Sequence, residues 1–260
     1  MSVYAGLKKA YYVVLDAITF KKGIPVVIND FKLKLPTKYH RLFQKDYEES
    51  SFKFFKKHAK QGGVTLDIGA HIGLYSVFFS KLTNGKVYSF EPTPSTAVVL
   101  RNTIAINKCN ENVTVVEAAV SEKPGTATFY SNDVDVSDSN SLVDFKLENF
   151  KREGAYEVAV MSVDNFRLQH SLKINILKID AEGVELEVLK GARETFLHDR
   201  PIGILGLHPF AYKNKTEMLG LIWDILLEYK MKILMDGGDI TKEQFCSIQK
   251  FVFDIEFLPQ

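Results

Sequence analysis

Cysteine is scarce in this chain, and so is any imbalance of charge. Its 260 residues include only two cysteines, Cys109 and Cys246. They lie far apart and outside any C-x-x-C spacing, so neither a disulfide scaffold nor a zinc knuckle is indicated. The 33 basic residues stand against 32 acidic ones, a net charge of +1. No global field draws such a chain to nucleic acid or an anionic membrane, and a small ligand is the expected partner. No apolar run approaches the roughly 18 residues that span a bilayer, and the N-terminus has neither a basic-then-apolar signal pattern nor a cleavage site. A cytoplasmic setting is the expectation. What the chain does have is 46% hydrophobic residues, enough for one large core.

The most informative stretch runs from Val64 to Phe90, with Glu91 closing it. The order is apolar run, glycine turn (Asp67-Ile68-Gly69-Ala70-His71-Ile72-Gly73), helical pattern, apolar run, acid, which outlines a nucleotide-binding βαβ unit. Gly69 and Gly73 flank a sharp bend close to a ligand, and a side chain at Gly69 is expected to occupy the ligand's place. Glu91 follows Asp67 by 24 positions, where its two oxygens can accept both hydroxyls of a ribose. The three-glycine spacing of a dinucleotide site is not met, and an acid precedes the first glycine. That suits a cationic ligand better than a pyrophosphate. The pattern resembles motif I of the class I S-adenosylmethionine methyltransferases, whose cofactor carries an ammonium and a sulfonium.

Ahead of this unit, Tyr4–Phe20 has helical spacing, Ile24–Leu35 suggests a hairpin and Tyr47–Lys60 returns to a helix. Residues 1–60 therefore read as an N-terminal extension, a lid, an oligomer surface or a layer on the main sheet, and residues 61–260 as the catalytic domain. After Glu91, Ser95 is a candidate cap for a helix to about Asn107. Val113–Ala118 is the third strand, and the small residues Ala118 and Ala119 leave room for a flat ring. Thr126–Tyr130 and Tyr156–Val163 read as strands around a polar stretch, Ser131–Ser141, in which Asn140 and Ser141 are candidate lid or cofactor contacts.

Ile174–Ile179 is the fourth strand, and it delivers Asp180, Glu182 and Glu185 to the crevice where α/β sheets hold ligands. Acids there are costly to desolvate unless something uses them. Asp180 is the leading contact for an acceptor, while Glu185 also suits a helix start. Pro201–Pro209 brings His208, a residue able to take a hydroxyl proton, to the same edge. Thr216–Tyr229 is a final helix, Lys232–Met235 and Phe251–Phe257 are the last strands, and Asp236–Asp239 is a turn.

Leu177–Ala192, LKIDAEGVELEVLKGA, is similar to the K-I-D-x-E-G-x-E-x-x-V-L-x-G signature of the FkbM family of methyltransferases. DIGAHIGLYS, Glu91-Pro92 and Ser162-Val163-Asp164 agree with it. The resemblance implies a Rossmann-like α/β fold, with a seven-stranded, mostly parallel sheet and helices on both faces. It also implies S-adenosylmethionine-dependent O-methylation of a small acceptor such as a sugar. Carried over, Asp67, Gly69, Gly73 and Glu91 hold the cofactor, and Asp180, Glu182 and His208 line the reaction site; Ala70, His71, Ala118, Ala119, Ser141 and Asp180 are further candidate cofactor contacts. Gly206 departs from the family, which commonly has a glutamate there, and His71 stands where asparagine is frequent. A metal-assisted variant finds two hard ligands in Asp180 and Glu182 but no obvious third, so no metal is assigned. A binding or scaffolding protein that keeps the fold without turnover is the alternative from a different class.

Overall fold

The structure, a computed structural model, describes residues 11–131 except 13 and 16, together with 141–142 and 154–260. The expected N-terminal helix is helical at the described positions between 11 and 18. Most of the polar stretch, including Asn140, lies outside the described residues.

Strands β1 (Ile24–Ile28) and β2 (Phe31–Leu35) form the expected antiparallel hairpin. Its two-residue turn, Asn29-Asp30, has positive φ at both positions, and these residue types tolerate that conformation better than most. The helix Glu49–His58 follows. Next come β3 (Val64–Ile68), the helix Leu74–Thr83, β4 (Lys86–Phe90), the helix Pro94–Ile106, and β5 (Val113–Val116). Thr93, not Ser95, occupies the N-cap position of Pro94–Ile106, because Pro94 takes the first helical position, where its missing N–H costs nothing.

The chain then leaves the main sheet. Strands β6 (Ala119–Val120), β7 (Gly125–Ser131) and β8 (Gly154–Met161) make a separate three-stranded sheet, and Ser162 caps a helix, Val163–Gln169, where the sequence reading extended a strand to Val163. Strand β9 (Ile174–Asp180), the short helix Glu185–Lys190, β10 (Ile202–Leu207), the helix Lys215–Glu228, β11 (Met231–Met235), a two-residue β12 (Gly238–Asp239), the helix Lys242–Ser247 and β13 (Phe253–Pro259) complete it. Thr241 and Gln244 form a capping box for Lys242–Ser247, an element the sequence reading left out.

The main sheet has the order β12-β11-β13-β10-β9-β3-β4-β5. The seven expected strands are all there, and β12 adds a two-residue hairpin arm at the edge. Strands β10, β9, β3, β4 and β5 run parallel, and β13 lies antiparallel between β10 and β11. Because the parallel strands are covered on both faces, they read as near-continuous apolar runs rather than alternating ones. Leu177 and Ile179 pack with Leu186, Phe196 and Leu226 on one face. Ile176 and Ile204 pack on the other with Phe52, Phe55, Phe78 and Phe79. The N-terminal hairpin and the helix Glu49–His58 belong to this second layer, so they cover the main sheet. β3, β4 and β5 are laid down in one direction across the sheet and β9 and β10 in the other, starting again beside β3, and such a switch point opens the crevice in which α/β sheets bind ligands.

Candidate active site

A cavity of about 370 Å³ opens at that switch point, within the size range of small-molecule sites. Four neighbouring strands, β4, β3, β9 and β10, bring Glu91, Asp67, Asp180 and His208 to its wall.

At one end, Glu91 Oε2 accepts the His71 N–H at 3.0 Å and Oε1 accepts the Thr93 N–H at 2.9 Å. These bonds fix the carboxylate while leaving each oxygen a further lone pair. Burial pushes Glu91 up to about 7 despite those bonds. Asp67 is fully buried. Its Oδ2 accepts from Ser76 Oγ at 2.7 Å, and Ser76 Oγ accepts in turn from Ser89 Oγ at 2.8 Å. Among the described residues Asp67 Oδ1 has no hydrogen-bond partner. A buried carboxylate oxygen without a donor is costly, and an ammonium N–H is the kind of group that satisfies it. The residues present therefore fit the expected cationic cofactor.

The glycines act differently from the sequence expectation. Gly69 lines the cavity with φ +74, and the first thing a Cβ there would run into is the carbonyl oxygen of Asp180. Its bareness lets β3 and β9 close together at the site. Gly73, φ +92, is the N-cap of Leu74–Thr83; a Cβ would meet Leu100 Cδ1 at 2.6 Å, and it lies outside the cavity lining. Ala70, His71, Ala118 and Ala119 line the cavity as expected. Ser141 does not: its hydroxyl donates to the Glu182 carbonyl, and it is the next residue, Leu142, that reaches the lining.

At the other end, His208, only 4% exposed, is surrounded by carboxylates. Its Nδ1 is 2.7 Å from Glu185 Oε1, while Nε2 lies 3.4 Å from Glu182 Oε1 and 3.5 Å from Asp180 Oδ1. Glu185, fully buried, also accepts from Tyr212 Oη at 2.8 Å and the Gly183 N–H at 2.9 Å. It is thus a structural partner of the histidine as well as a helix-start residue. Burial alone would lower the His208 pKa, but the carboxylates of Glu182 and Glu185 beside it hold it well above the usual range. Burial pushes Glu182 up to about 7, against the pull of His208.

Lys178 was not among the expected site residues. Buried on β9, its Nζ sits 3.0 Å from Asp180 Oδ2 and 5.1 Å from the centre of the Tyr75 ring. Burial would lower its pKa, yet Asp180, Asp67 and Glu48 raise it. Burial likewise acts to raise Asp180, but Lys178 and His208 outweigh it and hold that carboxyl below the usual range. Its position two residues before Asp180, on the same strand face, was the available signal.

Glu48 and Asp254 had no comparable signal. Glu48, just before the helix Glu49–His58, accepts from Tyr75 Oη at 2.7 Å. Asp254, paired across the sheet with Gly206, accepts from Ser51 Oγ at 3.1 Å. Burial, with Glu48 and Asp180 adding, pushes Asp254 up to about 7. A Cβ at Gly206 would stand 3.2 Å from Asp180 Oδ1 and 3.4 Å from Asp254 Oδ1, so two carboxylates already occupy the space before it. Phe210 and Phe251, stacked with centroids 4.3 Å apart, add an apolar patch to the lining.

Comparison with known proteins gives the family and the fold. A family model described as the methyltransferase FkbM domain matches residues 67–233. The methyltransferase sdnD of Sordaria araneosa is 30% identical over 155 residues, covering 50% of this chain and 60% of that protein. The hexuronic acid methyltransferase AglP of Haloferax volcanii is 26% identical over 145 residues, covering 55% of this chain and 56% of its own length. The chain thus spans less than two thirds of these relatives. The crystal structure of methyltransferase FkbM from Methylobacillus flagellatus superposes with a TM-score of 0.51 at 17% identity, covering 85% of this chain and 52% of that one. That likeness concerns the fold.

Proposed function

Because the chain belongs to the FkbM methyltransferase family, we propose that it methylates a hydroxyl oxygen of a small acceptor, a sugar or related natural product. The cofactor is S-adenosylmethionine, which supplies a methyl group on a positively charged sulfur. In this reading residues 61–260 are the methyltransferase unit, and the preceding segment completes the cavity wall through Tyr47 and Glu48.

The single observation that carries the proposal is the polarity of the cavity. One end offers a buried, partnerless Asp67 oxygen and the Glu91 carboxylate; the other gathers Asp180, Glu182 and His208. Asp67 would receive the cofactor's ammonium and Glu91 its ribose hydroxyls, with Ala118 and Ala119 beside the base. Asp180, one third exposed and held ionised by Lys178, faces the acceptor with Glu182 and His208. This cluster orients the hydroxyl and takes its proton, a contribution on the order of 10²- to 10⁴-fold. The AglP relative, named for a hexuronic acid substrate, favours a sugar as the first acceptor to try.

The test pairs binding with transfer. Calorimetry with S-adenosylhomocysteine is expected to show one site, and mass spectrometry across a panel of sugars is expected to find a product heavier by one methylene. Asp180→Asn should then lose most turnover while losing little cofactor affinity. Absence of cofactor binding removes the proposal, and near-normal turnover in the Asn variant removes the role of Asp180.

A further inference from the structure

We infer that Asp180, Glu182 and His208 form a binding site for one divalent first-row cation of the Mn²⁺ type, facing the acceptor end of the cavity. The inference deepens the methyltransferase reading and rests on it for the ion's use, though not for its binding. The sequence offered two hard oxygen ligands and no third; the third is His208, delivered by the neighbouring strand.

Two distances within one imidazole ring set its nitrogens apart. Nδ1 is 2.7 Å from Glu185 Oε1, the length of a charge-assisted hydrogen bond. Nε2 stands 3.4 Å and 3.5 Å from its two carboxylate neighbours, well beyond that length. Donors bound to one ion at about 2.0–2.2 Å lie roughly 3.0 Å apart at octahedral angles and roughly 3.4 Å apart at tetrahedral ones, so the Nε2 distances stand within about half an ångström of the edges of either polyhedron. The candidate ligand atoms of all three residues lie within 4.8 Å of one another.

The surroundings are those of a metal-bound histidine. A ligating imidazole commonly donates its other N–H to a carboxylate, which fixes the ring and directs its lone pair at the ion. Glu185 does this here, itself held by Tyr212 and Gly183. One nitrogen and two carboxylate oxygens suit Mn²⁺ or its first-row neighbours better than Mg²⁺, which favours oxygen and water. All three residues line the cavity, so the remaining coordination positions are available to acceptor oxygens. An ion held there would polarise the acceptor hydroxyl, whose oxygen bonds to the methyl carbon as the carbon–sulfur bond breaks and the sulfonium leaves as a neutral thioether, the hydroxyl proton passing to a neighbouring carboxylate or to water.

The experiment uses the full chain, stripped with a chelator and titrated with Mn²⁺ while electron paramagnetic resonance counts the free ion. About one bound ion per chain is expected, with affinity reduced at least roughly tenfold in both Glu182→Gln and His208→Gln. Glu182 lies on a turn, so its variant serves if the buried histidine variant fails to fold. Absence of saturable binding, or binding unchanged in Glu182→Gln, overturns the inference. Calorimetry with S-adenosylhomocysteine on the same samples separates the two readings. Cofactor binding without Mn²⁺ binding sinks the cation site alone, whereas Mn²⁺ binding without cofactor binding sinks the methyltransferase assignment and leaves the site.

Discussion

Glu185 Oε1 and His208 Nδ1 meet at 2.7 Å although 23 positions separate the two residues in sequence. The carboxylate comes from the first turn of a helix and the imidazole from a strand end, so the bond ties the β9 and β10 sides of the crevice together. It also sets the ring's orientation, leaving Nε2 toward Asp180 and Glu182.

The first prediction concerns that bond. Glu185→Gln keeps the shape but offers the ring either an amide donor or a weaker acceptor. Turnover should fall by about 10- to 100-fold with S-adenosylhomocysteine affinity nearly unchanged. Steady-state kinetics beside calorimetry decides it; equal losses in both would mark Glu185 as a general structural residue.

Glu91 predicts a pH dependence. Its carboxyl is pushed up to about 7 by burial, and two ribose hydroxyls require the ionised form as acceptor. Cofactor affinity should therefore rise from pH 6 to pH 8, and Glu91→Gln should bind more weakly with that dependence flattened. The sign reverses for stability of the cofactor-free chain. A folded pKa above the unfolded value gives a stabilising contribution present below about 4.5 and lost as pH rises through about 7. The wild type should thus lose stability relative to Glu91→Gln between pH 5 and pH 8, as measured by chemical denaturation.

Gly69 predicts a steep local sensitivity. Gly69→Ala must fit a Cβ against the Asp180 carbonyl at a left-handed φ, and a loss of about 2–4 kcal/mol is expected. Gly125→Ala, with nothing within 4 Å of the added methyl, should stay within about 0.5 kcal/mol. Urea denaturation of the pair is the check.

Lys178 predicts a cost from uncompensated charge. Lys178→Met leaves Asp180, Asp67 and Glu48 without the ammonium they share. Removing one partner of a buried ion pair costs about 3–5 kcal/mol. A stability equal to wild type would show that the carboxylates pair elsewhere.

These residues also show where the sequence is readable. Asp67, Glu91, Asp180 and His208 were legible because each sits at the end of an apolar run, and parallel strands bring their carboxyl ends to one edge. Gly69 was legible as a necessary glycine, but its reason was not, since the obstructing carbonyl belongs to a strand more than a hundred positions away. Glu48 and Asp254 join the site through pairings such as Ser51 with Asp254, which carry no local pattern. The helix Val163–Gln169 was hidden for a simpler reason. Its two turns are too short for a helical period to show, and only the Ser162 cap distinguishes it from strand.

The most direct measurement is a crystal structure of the chain with S-adenosylhomocysteine. The account predicts the amino group at Asp67, the ribose on Glu91, and the sulfur facing the space bounded by Asp180, Glu182 and His208. A ligand bound outside this cavity, or an Asp180 carboxylate turned away from the sulfur, contradicts it.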